Sequence, residues 1–230
     1  MARRPIFIPL VDGKRYVREL YVNFTWHPGF AKVQKQKSIR DLHEMARQQY
    51  KLKSILEVSS KSEQALGVKL SSFNLTFTTK LGRVLTVEAA FQGSKKFRGG
   101  GPYRDIFGMA PRDAKRDPRL RNSGPLKAFS FYGVEWPLQP MTAFYDWLYI
   151  NALLRNEELA KEVTDIEAFT DIEFNHEKSI NCQARSVALY CALYHADKLE
   201  YALTDQETFM SLYPGRVSDP HQPAEERYLI

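Results

Sequence analysis

Apolar positions between residues 5 and 26 fall into two short runs, 6–11 and 19–26, on either side of Asp12-Gly13. Their loose alternation of β-branched and aromatic residues predicts two strands around a turn, and His27-Pro28-Gly29 ends the second. Lys32, Lys35 and Lys37 read as a basic loop. Ser38, with Asp41 three residues on, has the form of a capping box, and Ile39, Leu42, Met45 and Ala46 follow at helical spacing. A helix is therefore predicted over 39–52. A strand is expected at 55–59, then a helical turn capped by Ser62 and broken by Gly67. Phe73, Leu75 and Phe77 alternate with Asn74, Thr76 and Thr78, as in a half-buried strand. Lys80-Leu81-Gly82-Arg83 turns the chain and Val84-Leu85 returns it, after which Thr86 can cap a helix from 87 to about 97.

Downstream, residues 98–102 must be loop, and the polar, basic stretch 111–127 reads as an exposed connection with one short helix. A strand is expected at 127–132, ending at Gly133. Residues 142–154 are apolar almost all round, which predicts a buried helix. Asn156 can cap a helix at 157–163, residues 169–175 alternate as if extended, and 184–194 reads as another buried helix. Strands come early and helices late, which argues for α+β rather than a doubly wound sheet.

A chain of 230 residues, 43% hydrophobic and 26% charged, is long enough for one domain with a real core. No repeat or linker divides it. A single domain is expected over 1–212, with residues 1–54 as an N-terminal extension and 213–230 as a loose tail. The formal charge of +6 favours polyanionic partners, although a solvated basic surface carries the same charge. Cys182 and Cys191 lie in one helix-forming stretch, badly placed to pair with each other. The five histidines are scattered and neither CxxC nor HExxH occurs, so neither a metal nor another cofactor is expected. The N-terminal apolar run is too short for a signal peptide and no segment reaches bilayer length. A reduced, cytoplasmic protein with no membrane partner is the expectation.

Glu88, Gln92 and Lys95 follow at i, i+4 and i+7 and would share one face of the helix after Thr86. In the first turn the helix dipole favours ionised Glu88. Such a carboxylate can stabilise the positive charge that grows on ribose C1 as a glycosidic bond breaks, or activate water. A solvated helix stripe has the same spacing. Ser71 and Ser72 can bond ribose or phosphate, or simply form the polar face of a strand. Asp171, Glu173 and Asn175 would point one way on an extended segment. Two near carboxylates can raise one another's pKa and supply an acid and a base, whereas an exposed strand edge gives the same alternation.

Asn181, Gln183 and Arg185 precede a buried helix, whose N–H groups suit a pyrophosphate with Arg185 as a planar donor; plain capping by Asn181 is the alternative. Gly99, Gly100 and Gly101 can let backbone amides approach a phosphate, or form a flexible loop. Arg112, Lys115, Arg116, Arg119 and Arg121 form a second basic cluster, where phosphate contact competes with simple solvation. Trp26, Tyr103 and Trp136 lie near polar turns, where they can stack on a base or belong to the core.

In their order along the chain these blocks resemble the NADAR family. Leu70-Ser71-Ser72-Phe73 matches one family motif, with Ser72 where Asn is common. The stretch from Glu88 through Gln92 to Lys95 matches another, followed by Trp136, the acidic segment 171–175 and Asn181. Over nearly the whole chain the resemblance narrows to the NADAR antitoxins that accompany DarT-type DNA ADP-ribosyltransferases. Trp26-His27-Pro28-Gly29-Phe30, Ser59-Ser60-Lys61-Ser62, Gly100-Gly101-Pro102-Tyr103 and the stretch 178–186 carry it.

The resemblance implies a helix-rich α+β domain with a small, mainly antiparallel sheet. It implies an N-glycosidase that removes ADP-ribose from guanine bases in DNA, with ADP-ribosylated DNA as substrate, ADP-ribose as product and a DarT-type toxin as functional counterpart. Glu88 is then the stabilising or water-activating carboxylate, and Asp171 or Glu173 assists with protons. Lys35, Lys61, Lys69 and Lys95 are candidates for a Schiff base with ring-opened ribose. Ser60, Lys61, Ser72, Gln92, Gly100, Gly101, Tyr103, Trp136, Asn181 and Arg185 are the substrate-binding candidates. The alternatives are a NADAR enzyme acting on a small ribosylated metabolite or nucleotide, and a non-catalytic binder that neutralises a toxin by contact.

Overall fold

A computed structural model describes residues 1–11, 15–175 and 179–213. The turn expected at Asp12-Gly13, Lys178 of the last motif and the tail from 214 lie outside the described residues. The N-terminal pair forms as expected. β1 (Ala2–Pro9) and β2 (Val17–Phe24) run antiparallel, in register from Ala2↔Phe24 to Pro9↔Val17. Pro5 and Pro9 cannot donate to a ladder, and the other edge of β1 pairs only at Phe7↔Phe169.

The basic stretch is not a loop. Helix α1 spans Lys32–Tyr50, two turns ahead of the expected start. Ser38 and Asp41 do not cap it, because both serve the end of β2. Ser38 Oγ accepts from the His27 amide at 2.9 Å, and the Asp41 carboxylate accepts from the Thr25 amide. Ile39, Leu42 and Ala46 face the core as their spacing predicts, whereas Met45 is exposed. Lys51, in the left-handed region at φ 59°, ends the helix.

β3 (Ile55–Glu57) leads to the short helix α2 (Ala65–Lys69). Gly67 does not break α2 but lies inside it, because a Cβ there would overlap the Glu57 carbonyl oxygen and the Ser62 side chain. β4 (Thr76–Thr78) and β5 (Val84–Thr86) form the expected hairpin, though the strand is shorter than the alternation from Phe73 suggests. Thr86 Oγ1 caps α3 (Val87–Gly93) by accepting from the Ala89 amide at 3.2 Å. α3 stops four residues earlier than expected. Lys95 belongs instead to β6 (Lys95–Phe97), which pairs with β7 (Leu126–Phe131). Between these strands lie a 3-10 turn (Arg104–Gly108) and two short helices, α4 (Pro111–Arg116) and α5 (Arg119–Asn122), where one was expected.

β8 (Val134–Trp136) completes the β6-β7-β8 sheet. The apolar helix α6 (Ala143–Leu154) is buried, as predicted. Asn156 does not cap α7 (Glu157–Glu162); its amide donates to the Thr76 and Ala152 carbonyls, both at 2.8 Å. β9 (Ala168–Thr170) lies between β1 and β3, parallel to β3, so the largest sheet has the order β2-β1-β9-β3. Residues 2–24 thus supply half of that sheet's strands. The second buried helix, α8 (Gln183–His195), packs on β1 and β9, and α9 (Leu199–Ala202) and α10 (Gln206–Ser211) close the described chain. The fold is α+β, with three small sheets rather than one among the described residues, all antiparallel except β3–β9. No described helix is long and apolar enough to cross a membrane.

Candidate functional site

An open cleft of about 470 Å³ lies where α3, the loop before β4, the turn after β9 and the start of α8 converge. Its walls carry Ser59, Ser60 and Lys61 after β3, and Ser71, Ser72 and Phe73 before β4. Asp171, Glu173, Asn181 and Gln183 form the opposite side, and Glu88, Lys95, Lys115 and Tyr145 complete it.

Glu88 is 5% exposed, yet its carboxylate reaches the cleft. Gln92 stands behind it and donates to Oε1 at 2.9 Å, while Ser72 donates its hydroxyl to Oε2 at 3.1 Å. The Glu88 amide bonds the Ser72 carbonyl at 2.9 Å, so backbone and side chain lock to the same residue. Lys115 reaches in from α4, with Nζ 3.9 Å from Glu88 Oε1. A buried carboxylate with neutral donors on both oxygens and a cation beside it keeps its place without being neutralised by a contact ion pair.

Lys95 sits next to this group, its ammonium 4.9 Å from the Phe91 ring centroid. Burial lowers its pKa to about 8; Glu88 opposes that shift and Lys115 adds to it. Tyr145, buried against Glu88 and Ser72, has its hydroxyl pKa pushed well above 10, foremost by burial and then by the Glu88 charge. It stays a neutral donor.

Across the cleft, β9 ends at Thr170, so Asp171 and Glu173 do not alternate along a strand as expected. Asp171 Oδ1 instead accepts from the Glu173 and Phe174 amides at 3.0 and 3.2 Å, and the chain turns around it. Burial, followed by the charge of Glu57, raises the Asp171 pKa well above the usual carboxylate range. Glu57 is itself 1% exposed and accepts from Thr170 Oγ1 at 2.6 Å and from the Ile172 amide at 2.8 Å. Its pKa is also raised, chiefly by burial. Glu173 lines the cleft but is exposed and pairs with Lys35 at 3.4 Å, and Lys35 lies over the Trp26 ring.

Asn181 does not cap α8, since Cys182 occupies that position without a side-chain bond. Its Oδ1 is buried, unpartnered among the described residues, and borders the cleft. Six other expected contributors lie elsewhere. Trp136 is 1% exposed and packs in the core against Phe144 and Trp147. Arg185 is consumed by a buried ion pair with Asp146 and a 3.1 Å bond to Thr142, because its side chain leaves α8 toward α6. Gly100, Gly101 and Tyr103 are held in their own loop: Gly100 bridges to Phe97, a Cβ on Gly101 would overlap the Lys95 carbonyl, and the Tyr103 hydroxyl bonds Ser123. Lys69 is exposed at the end of α2 and does not border the cleft. Of the four candidate lysines, Lys61 and Lys95 line it directly.

Sequence reasoning assigns Lys115 only to a basic cluster and leaves Tyr145, Glu57 and the Gln183 side chain without a site role. No local spacing links them to Glu88, since they arrive from α4, α6, β3 and α8. Among the described residues no group of three or more His, Cys, Asp or Glu side chains is arranged to hold a metal.

Together the fold and the cleft define an α+β domain centred on a fixed carboxylate flanked by lysines. Residues 2–222 match the family described as DarT1-associated NADAR antitoxin, and the chain belongs to that family. Membership makes it an antitoxin counterpart of a DarT toxin. A search of curated proteins finds no match.

Proposed function

We propose that this antitoxin is an N-glycosidase that hydrolyses the bond between ADP-ribose and a guanine amino group in DNA. The observation that carries the reading is Glu88: a carboxylate secured by Ser72 and Gln92 inside an open polar cleft. Departure of the base leaves oxocarbenium character on ribose C1, and a preorganised negative charge stabilises it. Asp171, whose pKa is raised well above the usual carboxylate range by burial and then by Glu57, supplies a proton to the leaving nitrogen. Water then adds to C1, its proton passing to a carboxylate. Ser60, Lys61 and Asn181 border the space where the ribose and diphosphate would lie.

Lys95 supports a covalent variant of the same reaction. A free amine can displace the base nitrogen at C1 of ring-opened ribose, forming a Schiff base as the guanine amine leaves; water then restores the aldehyde and the lysine. Its lowered pKa and its place beside Glu88 favour it over Lys61 for that role.

Glu88→Gln tests the proposal. The amide keeps the shape and loses the charge. Turnover of ADP-ribosylated oligonucleotide should fall roughly 10²–10⁴-fold, with ADP-ribose still bound and with protection of toxin-expressing cells lost. A variant that protects fully would identify a contact inhibitor instead.

A further inference from the structure

Glu57 is a buried carboxylate that the reaction itself does not use. It ends β3, is 1% exposed and does not border the cleft. An apolar residue of its size would spare the cost of taking a charge out of water, so its bonds must account for it. Its two oxygens serve the residues on either side of Asp171. Oε2 accepts from the Thr170 hydroxyl at 2.6 Å, and Oε1 accepts from the Ile172 amide at 2.8 Å. The backbone adds a third link, because Glu57 and Thr170 are partners in the β3–β9 pairing and the Val58 amide donates to the Thr170 carbonyl at 2.7 Å. Asp171 lies between these anchors, and its own Oδ1 collects the Glu173 and Phe174 amides on the far side of the turn. We propose that Glu57 is a positioning residue: by gripping the chain immediately before and after Asp171, it aims that carboxyl group into the cleft. This rests on the role that the glycosidase reading gives to Asp171.

Two neighbours steady the grip. His43 on α1, also buried, has Nε2 2.8 Å from Thr170 Oγ1, so the hydroxyl joins α1 to the β3–β9 pair. α2 closes the other side, since a Cβ on Gly67 would overlap the Glu57 carbonyl oxygen. The chemistry calls for a carboxylate. Both partners of Glu57 are donors, and two acceptor oxygens on one planar group meet them together. Glutamine matches the shape but has one acceptor oxygen. Its NH2 must then face the Thr170 hydroxyl, which can accept, because the Ile172 amide cannot. Methionine fills the space and offers both donors only a weakly accepting sulfur. Loosening the turn displaces the carboxyl group at the reacting bond and leaves the rest of the cleft wall in place, so the loss falls on the chemical step rather than on binding.

The test compares Glu57→Met, Glu57→Gln and Thr170→Val with the unmodified full chain. It uses amide hydrogen exchange and the hydrolysis of an ADP-ribosylated oligonucleotide. In Glu57→Met the Ile172, Glu173 and Phe174 amides should exchange at least about tenfold faster relative to those of α6 and α8, whereas a loss of global stability alone would speed all of them together. kcat should fall roughly tenfold to a hundredfold, while KM stays within about threefold. Glu57→Gln, which keeps the Ile172 bond, should lose less than Glu57→Met. An unchanged kcat in Glu57→Met overturns the proposal, and so do unmoved Glu173 and Phe174 amides. If the unmodified chain does not cleave the oligonucleotide, it is the glycosidase reading that fails, and the exchange rates still decide whether Glu57 holds the Asp171 turn. Should Glu57→Met not fold, Thr170→Val removes one of the two side-chain grips and keeps the branched shape; kcat should fall with KM held, and an unchanged kcat there overturns the proposal equally.

Discussion

At the scale of single residues, the site turns on groups whose protonation is set by burial. Lys95 has a pKa of about 8, so near that pH about half of its amine is free, against roughly 0.3% for an ordinary lysine. Borohydride added during turnover at pH 8 should therefore trap a protein–ribose adduct that survives in Lys61→Arg and Lys35→Arg but vanishes in Lys95→Arg. Mass spectrometry reads the site, and an unmodified protein after active turnover retires the covalent route. His43 makes a second prediction, about stability. It is buried on α1, and its Nε2 lies 2.8 Å from Thr170 Oγ1. Thr170 spends its hydroxyl proton on Glu57, so Nε2 of neutral His43 is the donor. Burial first, then the nearby Arg47 charge, lowers its pKa to about 4. The unfolded chain takes up this proton near 6.5 and the folded chain does not, so the stability is complete above 6.5 and drains away as pH falls toward 4. The loss amounts to about 3 kcal/mol. Glu57 and Asp171, with raised values, oppose that slope. Denaturant titrations of the unmodified chain and His43→Leu at pH 7 and pH 4 isolate it: the unmodified chain should lose about 3 kcal/mol more than the variant over this range. The sequence displayed Glu88 and Gln92 because one helical turn joins them. It hid Tyr145 and Glu57 because only tertiary packing brings them near.

Elements were legible where one face, or every face, is apolar. α6 and α8 stand out because burial all round needs apolar residues all round. Errors came where side chains answer to a neighbouring element. Ser38 and Asp41 have the spacing of a cap and are spent on the end of β2. α3 stops at Gly93 because the next residues pair with β7, and the Ser130 amide already bonds the Ser94 carbonyl at 2.7 Å. Two substitutions follow from these local rules. Thr86→Ala removes the cap of α3 and should cost about 1 kcal/mol, with a loss of activity because Glu88 sits in the freed turn. Gly67→Ala sets two effects against each other. Helix propensity favours alanine by about 1 kcal/mol, but the new methyl would strike the Glu57 backbone, which cannot swing aside. Overlap should win, giving a net loss of about 2 kcal/mol. Thermal melts check both, and a Gly67→Ala protein as stable as its parent would mean that β3 and α2 pack less tightly than described.

For the whole molecule, charge geometry separates the two substrates that the proposed glycosidase could act on, ADP-ribosylated DNA and a small ribosylated metabolite. The excess of +6 is unevenly available. Arg119 is committed to Asp105 and Asp117, at 2.5 and 2.8 Å, and stacks over Tyr103, so it is not free for phosphate. Arg112, Lys115 and Arg116 remain exposed on α4, the helix whose Lys115 reaches the cleft mouth beside Glu88. A strand leaving the cleft along α4 would have about three phosphates neutralised, and their counterions released. Raising salt from 50 to 200 mM should then weaken binding of modified DNA roughly 20–40-fold. Arg112→Glu with Arg116→Glu should remove about two units of the logarithmic salt slope. Free ADP-ribose, which ends at its own diphosphate, should bind both proteins alike and respond much less to salt. Fluorescence anisotropy on a modified oligonucleotide and calorimetry on the nucleotide give the two slopes. Equal slopes, unaltered by the double substitution, would place no DNA along α4 and would turn the choice toward a small ribosylated substrate.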